Sequence, residues 1–226
     1  VDEANSIAAI SSAFERLQAI YIADGHHRSA AAARVANERR SPQRPTTESH
    51  DYFLTVVFPD DEVRIFDYNR VVRDLNGLSV PDLLQRLAED FDVTCSEDSV
   101  APPGPSTFGM FVDNQWYCLE LREELIPTKD PVARLDVSLL QDRILAPLLG
   151  VGDPRTDPRI DFVGGVRGLG ELEHRVRSGE QAVAFSLFPT GMDQLMAVAD
   201  AGELMPPKST WFEPKLADGL LSHVLD

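Results

Sequence analysis

The segment DGHHR, which begins at Asp24, gathers residue types that could bind an anion. Gly25 allows a tight turn and a close approach of the backbone to a ligand. Arg28 can donate two parallel hydrogen bonds to a phosphate or a carboxylate, and His26 and His27 add further donors. Asp24 could orient an imidazole, bind a cation that accompanies a phosphate, or cap a helix. These residues together favour phosphate binding.

The elements on either side of this segment place it where a strand meets a helix. The apolar run AIYIA, residues 19–23, is typical of a buried strand, and SAAAARVANERR from Ser29 is rich in strong helix formers. A helix N-terminus offers unpaired backbone N–H groups and the positive end of a dipole, so an anion is favoured there. The structural alternative is a capped turn with two surface histidines. A metal site is less favoured, because adjacent histidines rarely point at one ion.

Two further segments contain polar groups beside predicted strands. Asn69 and Arg70, in DYNRVV, could both face a ligand or could close the end of a hairpin. Lys208, Ser209 and Thr210 follow two prolines in MPPKSTWF. This loop could close over phosphates, with Lys208 stabilising charge that develops during transfer. The alternative is a rigid loop packed by the aromatic residues that follow it.

Other candidates have weaker support. Asp136 and Asp161 could bind magnesium or act as general bases, but acidic residues are abundant in this chain. Gly164 and Gly165 precede Arg167 and could form a backbone nest for an anion. The segment lacks the GxGxxG spacing and a Walker lysine, so an ordinary glycine-rich turn is favoured there.

The composition limits the partners that the chain can have. Its 226 residues carry 21 Lys and Arg against 37 Asp and Glu, a formal net charge of −16. Such a field disfavours nucleic acid and anionic membrane surfaces as partners, while an oligomer remains compatible with it. Two cysteines and the lack of a long apolar run favour a cytoplasmic protein. The start at Val1, directly before a helical pattern, favours a fragment of a longer protein.

The order of elements predicts an α+β fold with a mixed sheet, antiparallel hairpins and packed helices, arranged as a single domain over residues 1–226. The segment APPGPS, residues 101–106, is the favoured position for an internal boundary. The predicted helices are 3–17, 29–40, 79–91, 135–150, 169–179 and 191–202. The predicted strands are 19–23, 51–58, 62–68, 160–165 and 181–188, together with a hairpin over 107–121 that turns near Asp113 and Asn114.

Three segments resemble one bacterial family. YIADGHHRSAAA is similar to the signature of the family called domain of unknown function 1015. FDYNRVVRDLNG, residues 66–77, and MPPKSTWFEPKLADGL, residues 205–220, resemble that family's recurring segments in the expected order. The resemblance spans nearly the whole chain and corresponds to the C-terminal part of such proteins. It implies that an N-terminal region with its own polar motifs is missing.

The DGHHR segment also resembles the helix-start motif of the ParB and sulfiredoxin superfamily. Members of that superfamily include nucleotide-binding partition proteins and a kinase that acts on free serine. Their segment contacts nucleotide phosphates, so the resemblance implies nucleotide binding at Gly25, His26, His27 and Arg28, within a ParB-like or sulfiredoxin-like fold. His26 stands where the reactive cysteine of sulfiredoxin would fall, which disfavours peroxiredoxin repair.

The leading hypothesis is a protein that binds a nucleotide or another phosphorylated small molecule at the DGHHR segment, with Arg70 and Lys208 completing the anion site. ATP or ADP with magnesium is the expected ligand. If the protein is an enzyme, phosphoryl transfer to a small metabolite such as an amino acid fits best, with Asp24, His26, His27 and Lys208 in catalytic roles. The alternatives are a non-catalytic, partition-like nucleotide switch and a structural fragment that is inactive without its N-terminal region.

Overall fold

The computed structural model describes residues 1–40, 48–217 and 219–225, in which it has six α-helices and eight β-strands. The chain divides into two compact units. The first consists of Val1–Val57 with Leu216–Asp226, and the second of Phe58–Lys215. Residues 101–106, where the sequence favoured a boundary, lie inside the second unit. No helix in the described ranges is long and apolar enough to cross a membrane.

The first unit contains helices α1 (Ala4–Glu15) and α2 (His26–Arg39) and a short 3-10 turn at Ser49–Asp51. The sequence predicted α1 to within a few residues, but α2 begins three residues earlier than expected. Neither helix buries a residue. The apolar side chains of α1 are therefore about half exposed, as shown by Phe14 at 45%.

The strands predicted over 19–23 and 51–58 are wrong. Residues 19–23 and 52–58 have no regular secondary structure, and the expected turn between the hairpin strands is a 3-10 turn at Asp60–Glu62. Apolar residues with high β-propensity show only that the side chains favour a strand. A strand also requires a neighbouring strand that accepts and donates its backbone hydrogen bonds. Neither segment pairs with a strand in the ranges that the structure describes. The second half of the expected hairpin instead contributes β1 (Arg64–Phe66).

The second unit is built on a six-stranded antiparallel sheet. Its strands are β2 (Tyr68–Val72), β3 (Phe91–Ser96), β4 (Thr107–Val112), β5 (Gln115–Leu121), β6 (Ile160–Gly164) and β7 (Val183–Leu187), and their spatial order is β3-β5-β4-β7-β2-β6. Strand β1 pairs with β8 (Trp211–Glu213) in a separate two-stranded sheet. The α+β class is thus confirmed. The mixed sheet is corrected to an antiparallel one, because neighbours that are distant in sequence, such as β4 and β7, also run antiparallel.

Apolar side chains bury both faces of this sheet. The helices of the unit are α3 (Val80–Asp90), α4 (Asp136–Leu140, continued by a π-helical turn at Gln141–Leu145), α5 (Leu169–Arg177) and α6 (Met192–Asp200). Val72 belongs to the larger apolar cluster, which includes residues of α3, α4 and α6, whereas its neighbour Val71 belongs to a cluster with Leu172 of α5. This alternation is the expected consequence of the two-residue period of a strand.

Local sequence signals account for the elements that were predicted well. Helix α3 begins with a capping box, in which Ser79 Oγ accepts from the backbone N–H of Asp82 at 3.3 Å. The β4–β5 hairpin turns at Asp113 and Asn114, whose φ angles of 49° and 61° are typical of a type I′ turn. In both cases the residues that determine the structure are adjacent in sequence, so the pattern is sufficient to predict it.

The glycine pair at Gly164 and Gly165 has a packing role. A Cβ atom at Gly164 would lie 2.7 Å from the Trp211 ring, and one at Gly165 would overlap the carboxylate of Asp67. The backbone N–H of Gly165 also donates to the carbonyl oxygen of Asp67 at 2.8 Å. These close approaches support the glycine-rich turn that the sequence favoured over an anion nest.

We expect Gly164→Ala to lower the free energy of unfolding by about 1–3 kcal/mol, because the new methyl group must displace the Trp211 ring. Gly170→Ala is the matched control, since a Cβ atom there meets no atom within 4 Å. It should be neutral or stabilising by up to about 1 kcal/mol. Urea unfolding of both variants measures the difference, and equal effects would contradict the packing role.

Candidate functional site

The DGHHR segment lies at the N-terminus of α2. Gly25 is the N-cap residue, and its φ of 83° lies in the left-handed region that glycine adopts readily. The backbone N–H of Gly25 donates to Oδ1 of Asp24 at 2.7 Å. A Cβ atom at Gly25 would lie 3.5 Å from Nε of Arg28, so the guanidinium lies against the glycine.

The residue types in this turn differ from those of an ordinary helix start. His26, His27 and Arg28 occupy the first turn, which contains no acidic residue, and the N-cap makes no side-chain hydrogen bond. Helices usually have acidic groups here, because the dipole is positive at this end. All three side chains are exposed to solvent. The turn therefore combines helix N–H groups with basic side chains, which is an arrangement suited to an anion.

The two histidines do not form a cluster of metal ligands. Successive residues of an α-helix project about 100° apart, so the rings of His26 and His27 diverge. In the described part of the chain, no three His, Cys, Asp or Glu side chains are close enough to bind one metal ion.

The second unit contains a buried guanidinium. Arg70 lies in β2 and is 4% exposed. It donates to the carbonyl oxygens of Tyr68 and Lys208, the latter at 2.9 Å, and its Cζ atom lies 5.0 Å from the centroid of the Phe162 ring. Burial lowers the pKa of Arg70 to about 9, so the group is still charged at neutral pH. None of the described carboxylates forms an ion pair with it.

Lys208 meets Arg70 through its backbone. The carbonyl oxygen of Lys208 accepts the Arg70 hydrogen bond, while its ammonium group is exposed and lies 5.6 Å from the centroid of the Tyr68 ring. The φ of Lys208 is 55°, in the left-handed region that a lysine rarely adopts. Arg70 thus stabilises an unfavourable turn, and it contacts the backbone of Lys208, the residue with which the sequence analysis had grouped it in one anion site.

The hydroxyl groups beside Lys208 differ in their surroundings. Ser209 is buried, and its Oγ donates to the carbonyl oxygen of Pro206 at 2.7 Å. The carbonyl oxygen of Ser209 accepts from Oγ1 of Thr190 at 3.1 Å. Thr210 is half-buried, directly before β8. The Ser209 hydroxyl therefore stabilises the turn, and this supports the rigid-loop alternative for that residue.

Asn69 connects two strands. Its side chain is fully buried, and Nδ2 donates to Oδ2 of Asp67 at 2.5 Å. Its Oδ1 accepts from the backbone N–H of Leu187 at the end of β7, at 3.0 Å. Both the nitrogen and the oxygen of the amide are thus hydrogen-bonded within the protein. This supports a structural role for Asn69 rather than contact with a ligand. Burial raises the pKa of Asp67, whereas the hydrogen bond from Asn69 opposes this shift.

A cavity of about 140 Å³ lies beside Arg70. It is lined by Arg70, by Val137, Ser138, Gln141 and Asp142, and by three prolines. Arg70 and Val137 are buried, whereas Asp142 is exposed. The sequence did not indicate the residues from α4 and its π-helical turn as site residues. Their spacing places Ser138, Gln141 and Asp142 on one face of the predicted helix, but nothing local shows that this face meets β2.

The two acidic residues considered for metal or proton chemistry have different surroundings. Asp161 is exposed and accepts from Nη1 of Arg175 at 2.5 Å. Asp136 is buried, and its Oδ1 accepts from the backbone N–H of Ser106 at 2.8 Å. Its Oδ2 is buried with no hydrogen-bond partner among the described residues. Burial raises the pKa of Asp136 to about 6, and the hydrogen bond from Ser106 opposes this shift.

The family model described as "Protein of unknown function (DUF1015)" matches residues 1–138, so the chain belongs to this family. The match includes the motifs at the DGHHR segment and at residues 66–77, whereas the third motif, residues 205–220, lies outside it. No curated protein matches the chain.

Several solved structures show a remote likeness. Free serine kinase in complex with AMP is 15% identical, with a TM-score of 0.40 over 67% of this chain and 54% of the kinase. A mutant of that kinase with ADP is 17% identical, with a TM-score of 0.43 over 84% and 66% of the two chains. A conserved hypothetical protein from Pyrococcus furiosus is 16% identical, with a TM-score of 0.44 over 84% and 68%. The chain therefore spans about half to two thirds of these structures.

We expect Asp136→Asn to remove a pH-dependent component of stability. Because the pKa of Asp136 is raised in the folded state, its protonated form contributes stability that is complete below pH 3.8 and lost as the pH rises through about 6. The loss amounts to up to about 3 kcal/mol. The stability of the variant relative to the parent should therefore increase from pH 4 to pH 7.

Urea unfolding at four pH values between 4 and 7 measures this difference. Asp98→Asn, at an exposed position, is the matched control and should retain the pH dependence of the parent. A difference between Asp136→Asn and the parent that stays constant with pH would contradict the prediction.

Proposed function

We propose that this chain binds a phosphorylated small molecule, a nucleotide being the leading candidate, at the first turn of α2. Gly25, His26, His27 and Arg28 form the proposed phosphate cradle. The resemblance of DGHHR to the helix-start motif of the ParB and sulfiredoxin superfamily agrees with this proposal.

One observation carries the proposal. The first turn of α2 has one guanidinium, two imidazoles and no acidic side chain, and its N-cap residue is a glycine, which allows a ligand to approach the backbone closely. Basic groups at the positive end of a helix dipole are unfavourable in isolation. A phosphate would accept hydrogen bonds from backbone N–H groups of the first turn and from the side chains beside them, and would interact favourably with the dipole.

The catalytic form of the proposal is phosphoryl transfer from ATP, with magnesium, to a small metabolite. In that reaction Arg28 and the helix start would hold the phosphates. Asp24 or one of the histidines would handle a proton or the magnesium ion that accompanies the nucleotide. If the protein only binds, the same cradle would serve as a nucleotide-dependent switch that controls association with a partner.

Calorimetric titration of ATP, ADP, AMP and CTP, with and without magnesium, tests the binding step. We expect saturable binding to the parent chain and at least about tenfold weaker binding to Arg28→Ala, because a charge-assisted pair of hydrogen bonds is lost. Arg34→Ala is the matched control: it removes the same charge from an exposed position of α2 beyond the first turn, and should bind like the parent.

Further results would distinguish a phosphate cradle from general charge attraction, and an enzyme from a switch. Equal weakening by Arg28→Ala and Arg34→Ala would indicate general charge attraction rather than a cradle, and would contradict the proposal. If binding is specific, release of ADP from ATP in the presence of candidate acceptors distinguishes the enzyme from the switch. A ligand-dependent change in oligomeric state without turnover would favour the switch.

A further inference from the structure

We propose that the cavity beside Arg70 binds a small carboxylic acid that also carries a hydroxyl or ammonium group. This site lies wholly within the second unit and is distinct from the phosphate cradle of α2. It therefore adds a second ligand of different chemistry.

The charge of Arg70 is the first argument. A guanidinium has five N–H donors, and the two hydrogen bonds that Arg70 makes within the described residues both go to backbone carbonyl oxygens. No described carboxylate lies within ion-pair distance of it. Burial of an uncompensated charge is unfavourable. A ligand carboxylate would supply the missing negative charge, and its two oxygens match the planar guanidinium.

The size of the cavity restricts the ligand. A protein cavity of about 150 Å³ can hold a ligand of six non-hydrogen atoms such as benzene, and the volume here is about 140 Å³. An acid of five or six non-hydrogen atoms therefore fits this space, whereas only part of a nucleotide would. Val137 and the prolines offer apolar contacts for a short carbon chain.

The other polar groups of the cavity predict a second ligand group. Asp142 places a carboxylate in the lining, and Ser138 adds a hydroxyl. Nε2 of Gln141 donates to the carbonyl oxygens of Val151 and Gly152, both at 2.9 Å, and its Oε1 has no hydrogen-bond partner among the described residues. The lining thus combines one cation with several acceptors. A ligand with both a carboxylate and a donor complements it, whereas a phosphate dianion would be repelled by Asp142.

Calorimetric titration of the full chain with L-lactate, L-alanine, propionate and inorganic phosphate tests the proposal. We expect L-lactate or L-alanine to bind at least about tenfold more tightly than propionate, which lacks the donor, and more tightly than phosphate. Arg70→Gln should weaken that binding at least tenfold. Ser138→Leu should have the same effect by filling the cavity from a half-buried position of α4, without altering Arg70.

Arg122→Gln is the matched control. The Arg122 guanidinium also donates to two backbone carbonyl oxygens, those of Glu89 and Ala88 at 2.7 and 2.8 Å, but it is not among the residues that line the cavity. Its variant should bind like the parent. If Arg70→Gln does not fold, Ser138→Leu decides the question. Failure of every probe to bind the parent, or undiminished binding to Ser138→Leu, would overturn the proposal, and neither result would bear on nucleotide binding at α2.

Discussion

The burial of one positive charge in β2 is the constraint on which much of the second unit depends. Arg70 cannot reach solvent, so its donors must find acceptors inside the protein. One of these acceptors is the carbonyl oxygen of Lys208, which lies 138 residues away in sequence. This bond holds Lys208 in a left-handed conformation, and the buried hydroxyl of Ser209 fixes the same turn. Pro206 and Pro207, which precede Lys208, line the cavity together with residues of α4.

The positive charges at the two proposed sites are local exceptions in an acidic chain. A net charge of −16 makes the average surface repel anions, so binding requires a few positive groups concentrated in one place. The two units achieve this differently. At Arg28 an exposed guanidinium is combined with the N–H groups of a helix start. At Arg70 the guanidinium is buried, and burial strengthens its electrostatic attraction for an anion. An exposed site suits a large ligand with several charges, and a small cavity beside a buried guanidinium suits a small ligand with one.

Sequence patterns predicted the elements whose determinants are local. The capping box at Ser79 and the turn at Asp113 and Asn114 are examples, and so are helices α5 and α6. The helix predicted over residues 135–150 is instead the short α4 followed by a π-helical turn. The patterns failed where structure depends on distant partners: residues 19–23 and 52–58 have strand-like composition, but they pair with no strand among the residues that the structure describes. The same difference between local and long-range determinants applies to the two proposed sites. The residue types of DGHHR could be recognised directly, whereas the packing of α4 against Arg70 is a long-range contact that no local spacing reveals.

One NMR titration would test the claim that the chain has two anion sites of different chemistry. In a 15N-labelled sample of the parent chain, ADP and L-lactate would be added in turn while backbone amide and arginine Nε–H signals are followed. We predict that ADP shifts the amides of residues 25–29, and that L-lactate shifts the Nε–H of Arg70 and amides of residues 137–142. Shifts of Arg70 by ADP with none at residues 25–29, or no response to either ligand, would contradict the account.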